Sequence, residues 1–432
     1  MSDFKRNFVW MLSSKTFALT AAFIAAALIN RSLGPSLRGV FAEMQTWVAL
    51  FTALFGISMD TAIYHFSNRS LYGVNDKERF VTISTLSFIY ACLGAIALTV
   101  FVLLYPGQVS HETFKHLYFL NSLLILTMLV GNLTIFLQAL GYLRYSAFVG
   151  CIQGIVNIGM IGSAYLAQML DIDFVLLTLL IVQGITLLIL VVKVSEEGLI
   201  KGRFSRSLAR GILAAGLKQH IATVATFLYT KINQILVFRY CGEANAGIFA
   251  VSLSAAFYLM FIPMTFQTIL YPRVIHSPDD YEITIRSLRL GFYVWGGIVI
   301  VIIVFAEPVL LLYAGRHFLN SVHNFRILMI AAWFLPLSSL VAPYYVKAGA
   351  FGLASLSAIC LGVIGITLNM FLIPRYEVMG ASIATASCCL IGFCITLAFL
   401  SYLSKKNPLI MFNPEFGLEI ASLKRASYKD IL

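Results

Sequence analysis

Twelve apolar runs, each about as long as a bilayer core is thick, leave this chain few folds to choose from. A helix needs about 20 apolar residues to cross ~30 Å of hydrocarbon. The runs fall at about Phe8–Asn30, Val40–Phe66, Phe80–Leu104, Leu117–Leu140, Ala147–Met169 and a sixth ending near Lys193. Six more follow at about Ile212–Phe238, Ile248–Tyr271, Ser287–Phe305, Phe325–Val346, Leu353–Ile373 and Ala381–Leu403. With 60% hydrophobic and only 11% charged residues over 432 positions, a water-soluble domain is excluded. The expected fold is an all-α polytopic membrane protein.

A short polar elbow joins the first two runs, Arg31-Ser-Leu-Gly34-Pro35-Ser-Leu-Arg38-Gly39-Val-Phe41-Ala42. At an offset of 208 residues, without a gap, the chain reads Arg239-Tyr-Cys-Gly242-Glu-Ala-Asn-Ala-Gly247-Ile-Phe249-Ala250. Arg31 answers Arg239, Gly34 answers Gly242 and Gly39 answers Gly247. Six runs per half give both halves the same direction through the membrane, so the expectation is two parallel repeats related by an axis along the membrane normal. The boundaries expected are a first bundle at 1–194, a basic linker at 195–211, a second bundle at 212–404 and a tail at 405–432.

Charge sets the orientation. The connections assigned to the side of the termini hold twenty Lys and Arg residues, and those on the elbow side hold six, Arg31, Arg38, Lys115, Arg239, Arg316 and Arg375. Basic loops stay in the cytoplasm, so the N- and C-termini are expected there. The net charge of +11 is thereby spent on orientation, which disfavours nucleic acid as a partner. The linker interleaves its basic residues with Leu199, Phe204 and Leu208. It reads either as a plain cytoplasmic connection or as a segment lying on an anionic membrane surface.

The first run is longer than the core of a cleavable signal and has no convincing small-residue cleavage site. Six of the seven cysteines sit in apolar runs and Cys241 is alone in an elbow, which offers neither a disulfide framework nor a metal spacing. No Ser/His/Asp arrangement, phosphate-cradling glycine loop or His-x-x-x-His pair is present, so no enzyme activity, cofactor or ATP hydrolysis is expected. Active transport by such a chain would draw on an ion gradient or a partner.

Charges inside the apolar runs are the candidate functional groups, because a lysine near a helix centre costs about 2.5–3.5 kcal/mol on insertion scales. Lys15 in the first run and Lys231 in the seventh occupy the corresponding first helix of each half, though at the 208-residue offset Lys15 answers Thr223. Lys218 and Arg326 are near run ends and can snorkel to the interface. His220 and Lys231 are eleven residues apart, about three turns, and share a face. Thr223 and Gln234 fall near it, with Asn233 alongside, so the seventh run carries a polar stripe interrupted by Phe227. A lone buried histidine such as His220 is more often a hydrogen-bonded packing residue than a functional group. Carboxylates are few: Glu43 and Asp60 in the second run are the candidates for ion coupling, or else bond locally. Arg31 and Arg239 shape an elbow-side gate or anchor helix ends at headgroups.

The Arg31-x-Leu-Gly34-Pro35 elbow leading to Arg38-Gly39-Val-Phe, Lys15 in the first helix, and Leu368-Asn369-x-x-Leu372-Ile-Pro374-x-Tyr-x-x-x-Gly380-Ala-Ser-Ile-Ala384-Thr together resemble the polysaccharide-biosynthesis flippases of the O-antigen type. These belong to the multidrug/oligosaccharidyl-lipid/polysaccharide exporter superfamily, and the resemblance covers about residues 5–404. It implies two six-helix bundles around a V-shaped central cavity in the bacterial cytoplasmic (inner) membrane. It implies alternating access that carries an undecaprenyl-diphosphate-linked oligosaccharide between leaflets, with membrane lipids, a polysaccharide polymerase and a chain-length regulator as partners. Where family members often carry an acid past the middle of the seventh helix, this chain has Asn233. The alternative is a cation-coupled multidrug exporter of the same superfamily, which prefers carboxylates in its cavity. A lipid II flippase would be expected to have two additional spans, and a non-transporting scaffold would tolerate leucine at the intramembrane lysines.

Overall fold

The computed structural model describes residues 2–66 and 75–413, so the connection at 67–74 with Arg69, and the tail from 414, lie outside the described residues. Among the described residues, ten helices are long and apolar enough to cross a membrane. Two of them are double-length, Ser2–Phe55 and Phe351–Ser404, and each is sharply broken near its middle. Counting both limbs of each gives the twelve expected crossings.

Span one precedes a break at Gly34, and span two follows it and continues through Met59–Phe66. Spans three to six are Asp76–Leu104, Leu117–Ala139, Leu143–Leu166 and Ile172–Glu196. Span seven is Arg206–Cys241 and span eight is Glu243–His276. Span nine runs from Asp280–Leu290 through a π-helical turn at Gly291–Trp295 into Gly296–Val304. Span ten is Val322–Leu340 with Ala342–Lys347, and a break at Glu377 separates spans eleven and twelve. Helix N-termini in the connections are closed by side chains that accept from the first free N–H groups, as Asn75, Ser110, Asp171 and Ser205 do.

The repeated elbow is repeated in backbone geometry. Gly34 has φ 67° and ψ −179°, and Gly242 has φ 83° and ψ 176°. That region is open essentially to glycine alone, which explains why both elbows carry glycine there. The two elbows then touch. A methyl group on Gly39 would run into the Glu243 carbonyl, and one on Gly247 into the Pro35 carbonyl. Each elbow's second glycine is thus the space occupied by the opposite elbow's backbone.

Each half builds its own apolar cores. Met44, Leu98, Leu124 and Val175 belong to one in the first half, and Phe249, Val299, Phe325 and Ala381 to one in the second. The exchange between them is reciprocal: Phe23, Ala26 and Ala27 of span one pack on the second-half core, and Ile235 and Phe238 of span seven on the first-half core. Large apolar side chains such as Leu104, Leu166, Leu188 and Leu312 remain exposed on the outside, as a lipid-facing surface requires.

The linker does not lie free. Leu199 and Leu208 are buried in the core formed with Met59, Ile83 and Leu190. The Ser205 N–H donates to Thr82 Oγ1 at 3.0 Å, and Gly202 sits directly on the Lys77 carbonyl. Phe204 stays exposed. Leu199 and Leu208, two of the apolar residues that suggested a membrane-surface segment, therefore serve to dock it on the first half.

Candidate functional site

Spans one and two cross spans seven and eight below the elbows, and a cavity of about 340 Å³ opens between them. Span two contributes Arg38, Gln45 and Thr46, span seven Lys231 and Gln234, and span eight Ser254, Phe257 and Tyr258. Among the described residues, no Asp or Glu lines the cavity.

Arg38 was expected in the elbow connection, among the six cations on that side. It stands instead in the first turn of span two, 7% exposed. Its Nε donates to Asn30 Oδ1 at 2.8 Å, and its guanidinium lies 5.5 Å from the Phe41 ring centroid. Its Nη1 is buried and has no hydrogen-bond partner among the described residues. A buried guanidinium without a counter-charge costs several kcal/mol, so this arginine is not placed for stability. A signal was present in the sequence: a cation in a helix's first turn faces the positive end of the dipole.

Lys231 faces the same cavity. Its Nζ lies 5.2 Å from the Phe257 ring centroid, and no carboxylate pairs with it among the described residues. Gln234, one turn on, also lines the cavity and anchors it, donating from Nε2 to the Ala246 carbonyl at 3.0 Å. Asn233 turns the other way. It is fully buried, and its Nδ2 donates to Thr385 Oγ1 of span twelve at 2.8 Å.

A second chamber of about 500 Å³ adjoins the first and shares Gln45 and Ala49 with it. Spans two, four and six supply Thr52, Asp60, Thr127, Asn132 and Gln183, and span seven adds Thr223. Asp60 is its only formal charge, is exposed, and forms no ion pair among the described residues. Thr223 Oγ1 lies 2.7 Å from Ser58 Oγ, a contact between the two halves.

The polar stripe of span seven therefore serves two chambers, Thr223 in one and Lys231 with Gln234 in the other. His220 lines neither, and its Nδ1 is buried without a hydrogen-bond partner among the described residues. Lys15 is exposed on span one and lines neither chamber. Glu43 is 1% exposed and bonded on all sides. It accepts from Trp47 Nε1 at 3.0 Å, the Ser110 N–H at 3.1 Å and Thr113 Oγ1 at 2.9 Å, which fastens span two to the connection before span four. Arg31 reaches across the halves to the Leu312 carbonyl, whereas Arg239 is exposed and makes no bond among the described residues. Arg326 donates to the Ile303 carbonyl at 3.2 Å, and the Lys218 side chain lies outside the described residues.

Comparison with known proteins fits this architecture. The chain is similar over 98% of its length to the lipid II flippase MurJ in an inward closed conformation, with 16% identity, 93% of that chain covered and a TM-score of 0.71. It is similar over 93% to a multidrug resistance MATE family transporter of the MOP superfamily in an outward-facing conformation, with 14% identity, 97% of that chain covered and a TM-score of 0.62. A MOP superfamily transporter from Pyrococcus furiosus, described as having a binding pocket of reverse polarity, matches with 14% identity over 93% of this chain and 97% of that one, at a TM-score of 0.56. No curated protein sequence matches. Residues 75–323 match the family described as "Polysaccharide biosynthesis protein". On that match, which spans more than half of its length, and on a fold shared with MOP superfamily transporters, the chain belongs to the polysaccharide biosynthesis protein family.

Proposed function

We propose that this protein is a flippase that carries undecaprenyl-diphosphate-linked oligosaccharide units across the bacterial cytoplasmic membrane for surface polysaccharide assembly. The observation that carries the reading is the cavity between the halves, which presents Arg38 and Lys231 and, among the described residues, no carboxylate. A diphosphate moving through low-dielectric surroundings needs this arrangement. Arginine offers a fork that binds phosphate oxygens in pairs and lysine a compact point charge. The polyprenyl tail stays in lipid, so the cavity has only the polar part to enclose.

On the charge asymmetry of the connections, the termini would lie in the cytoplasm and the elbows on the periplasmic side. In this conformation the elbows are closed on each other at Gly39 and Gly247. Rocking the halves about their contact would open the elbow side and close the other, which is alternating access. A polymerase and a chain-length regulator would take over the delivered units.

Asp60 favours a second reading. An unpaired carboxylate in a chamber is what a cation-coupled multidrug exporter would use, and it is equally the proposed ion-coupling group of the flippase. Deletion in the native host separates the two. Loss of surface glycan with complete lipid-linked units trapped inside supports the flippase. Unchanged glycan with raised sensitivity to cationic drugs overturns it in favour of the exporter.

A further inference from the structure

A short helix, His111–Lys115, lies on the elbow side of the first half between spans three and four, and both of its ends are tied. At its start, the Ser110 N–H and Thr113 Oγ1 donate to the Glu43 carboxylate of span two at 3.1 and 2.9 Å. At its end, the His116 side chain, 4% exposed, bonds to Asp173 in the first turn of span six. We propose that His116 is a proton-sensitive latch, shut in acid and released at higher pH, that fastens this connection to span six. Such a latch would act whatever the protein carries, so it stands apart from the flippase reading.

Both ring nitrogens of His116 face acceptors. Nε2 meets Asp173 Oδ1, and Nδ1 lies 2.8 Å from the Glu112 carbonyl. A neutral imidazole carries one N–H and satisfies only one of the two, whereas the imidazolium donates to both. Losing the second proton therefore removes a hydrogen bond and a charge attraction together. It also leaves a buried lone pair pointed at an acceptor oxygen, an arrangement that protein interiors avoid. Histidine is the side chain whose charge ordinarily changes between pH 5 and 8, which makes this bond pair a switch.

The charged groups around the ring come from three elements. On its own turn, Glu112 Oε2 lies 3.5 Å from Nδ1 and 3.6 Å from Lys115 Nζ. Span six adds Asp173, with Asp171 occupied in capping the helix through the Phe174 N–H. Span two adds Glu43, reached through Thr113. His111 is exposed at the far end of the short helix. Glu43 and His116 thus bracket the helix, and opening at His116 leaves it held at one end only. That slack would reach span two, whose Arg38 and Gln45 line the cavity. On the proposed orientation this side meets the periplasm, so the latch would answer to pH outside the cytoplasm.

The test is hydrogen–deuterium exchange of the full-length protein in detergent micelles, read by mass spectrometry over residues 106–116 at pH 6 and pH 8. Rates in His116→Gln are divided by wild-type rates at the same pH, which cancels the pH dependence of exchange itself. At pH 6 the variant is expected to exchange about 3- to 10-fold faster, the scale of one half-exposed ion pair and its hydrogen bonds. At pH 8, where the wild-type latch should already be released, the ratio should fall below about twofold. Asp173→Asn keeps an acceptor and removes the charge, so it should reproduce part of the loss at pH 6 and none at pH 8. Thermal unfolding reports that each variant is folded, and if His116→Gln is not, Asp173→Asn decides alone. A ratio that does not fall between pH 6 and pH 8 overturns the latch and leaves His116 a fixed packing residue.

Discussion

The two halves agree in backbone and disagree in charge. Gly34 and Gly242 share one unusual conformation, and Gly39 and Gly247 each make room for the other elbow. At the same 208-residue offset, however, Arg38 answers Ala246 and Lys231 answers Phe23. Each cation in the cavity has an apolar counterpart. Ala246 gives its carbonyl to Gln234, and Phe23 stacks on Tyr313 with ring centroids 4.9 Å apart. The lesson is a division of tasks. The proposed rocking motion would work best between equivalent halves, which fits a repeat kept in the elbows. Under the proposed function, a substrate with a phosphate end and a sugar end has no such symmetry, and the cavity side chains need none either.

Removing the asymmetric charges should have the largest effect. Arg38→Ala with Lys231→Ala is expected to lower glycan export at least ~100-fold, since each charged hydrogen-bond partner lost costs about 1.5–3 kcal/mol. Surface glycan measured at native expression checks this, and normal export would end the cationic-cavity account. Lys15→Ala, on the equivalent helix but outside both chambers, should cost far less than Lys231→Ala in the same assay.

Disturbing the symmetric elements should act equally from either half. Gly39→Ala and Gly247→Ala each insert a methyl against an opposing carbonyl, and overpacking of this kind costs about 1–3 kcal/mol. That corresponds to a roughly 5- to 150-fold shift away from the elbow-closed state. A cysteine introduced at Ser254, in a background without the native cysteines, should react faster with an impermeant thiol reagent added from the elbow side. Similar gains from the two variants would support a symmetric clasp. A gain from one alone would show that the elbows do not work as a pair.

The two carboxylates of span two sharpen the contrast between structural and functional charge. Glu43→Gln should lower stability by about 1–3 kcal/mol, because bonded and buried acceptors are lost, and thermal unfolding reads this directly. Asp60→Asn should change stability by no more than ~0.5 kcal/mol while altering the dependence of transport on the ion gradient. The smallest expected effects are at the paired arginines. Arg31→Ala should cost ~1 kcal/mol or less through its exposed bond to Leu312, and Arg239→Ala less still.

Much of the fold was legible because bilayer thickness fixes helix length. The twelve crossings fall where the apolar runs predict them, and the glycines that mark the repeat in the sequence prove to share one backbone conformation. The site was legible only in part. Depth in the membrane can be read from position along a run, but rotation about the helix axis is set by packing against neighbours. Lys231 and Gln234 reach the cavity, while Lys15, which matches Thr223 in depth and not Lys231, stays outside both chambers. Asn233 sits one residue from Gln234, about 100° around the helix, and packs against Thr385 instead. Arg38 reads as part of a connection because the apolar run begins only at about Val40, yet proline is at home in a helix's first turn, and Pro35 stands there. The helix had already begun.

The docked linker changes what the join between the halves can be. A slack tether would let the bundles drift, and its sequence would matter little beyond length. Here the chain is pinned by Leu199, by Gly202 against Lys77 and by Ser205 on Thr82 immediately before span seven starts. Under the proposed alternating access, the join would act as a fixed pivot, and travel at the elbows would be amplified by the full length of span seven. Loosening that pivot would leave substrate affinity untouched and blur the stroke.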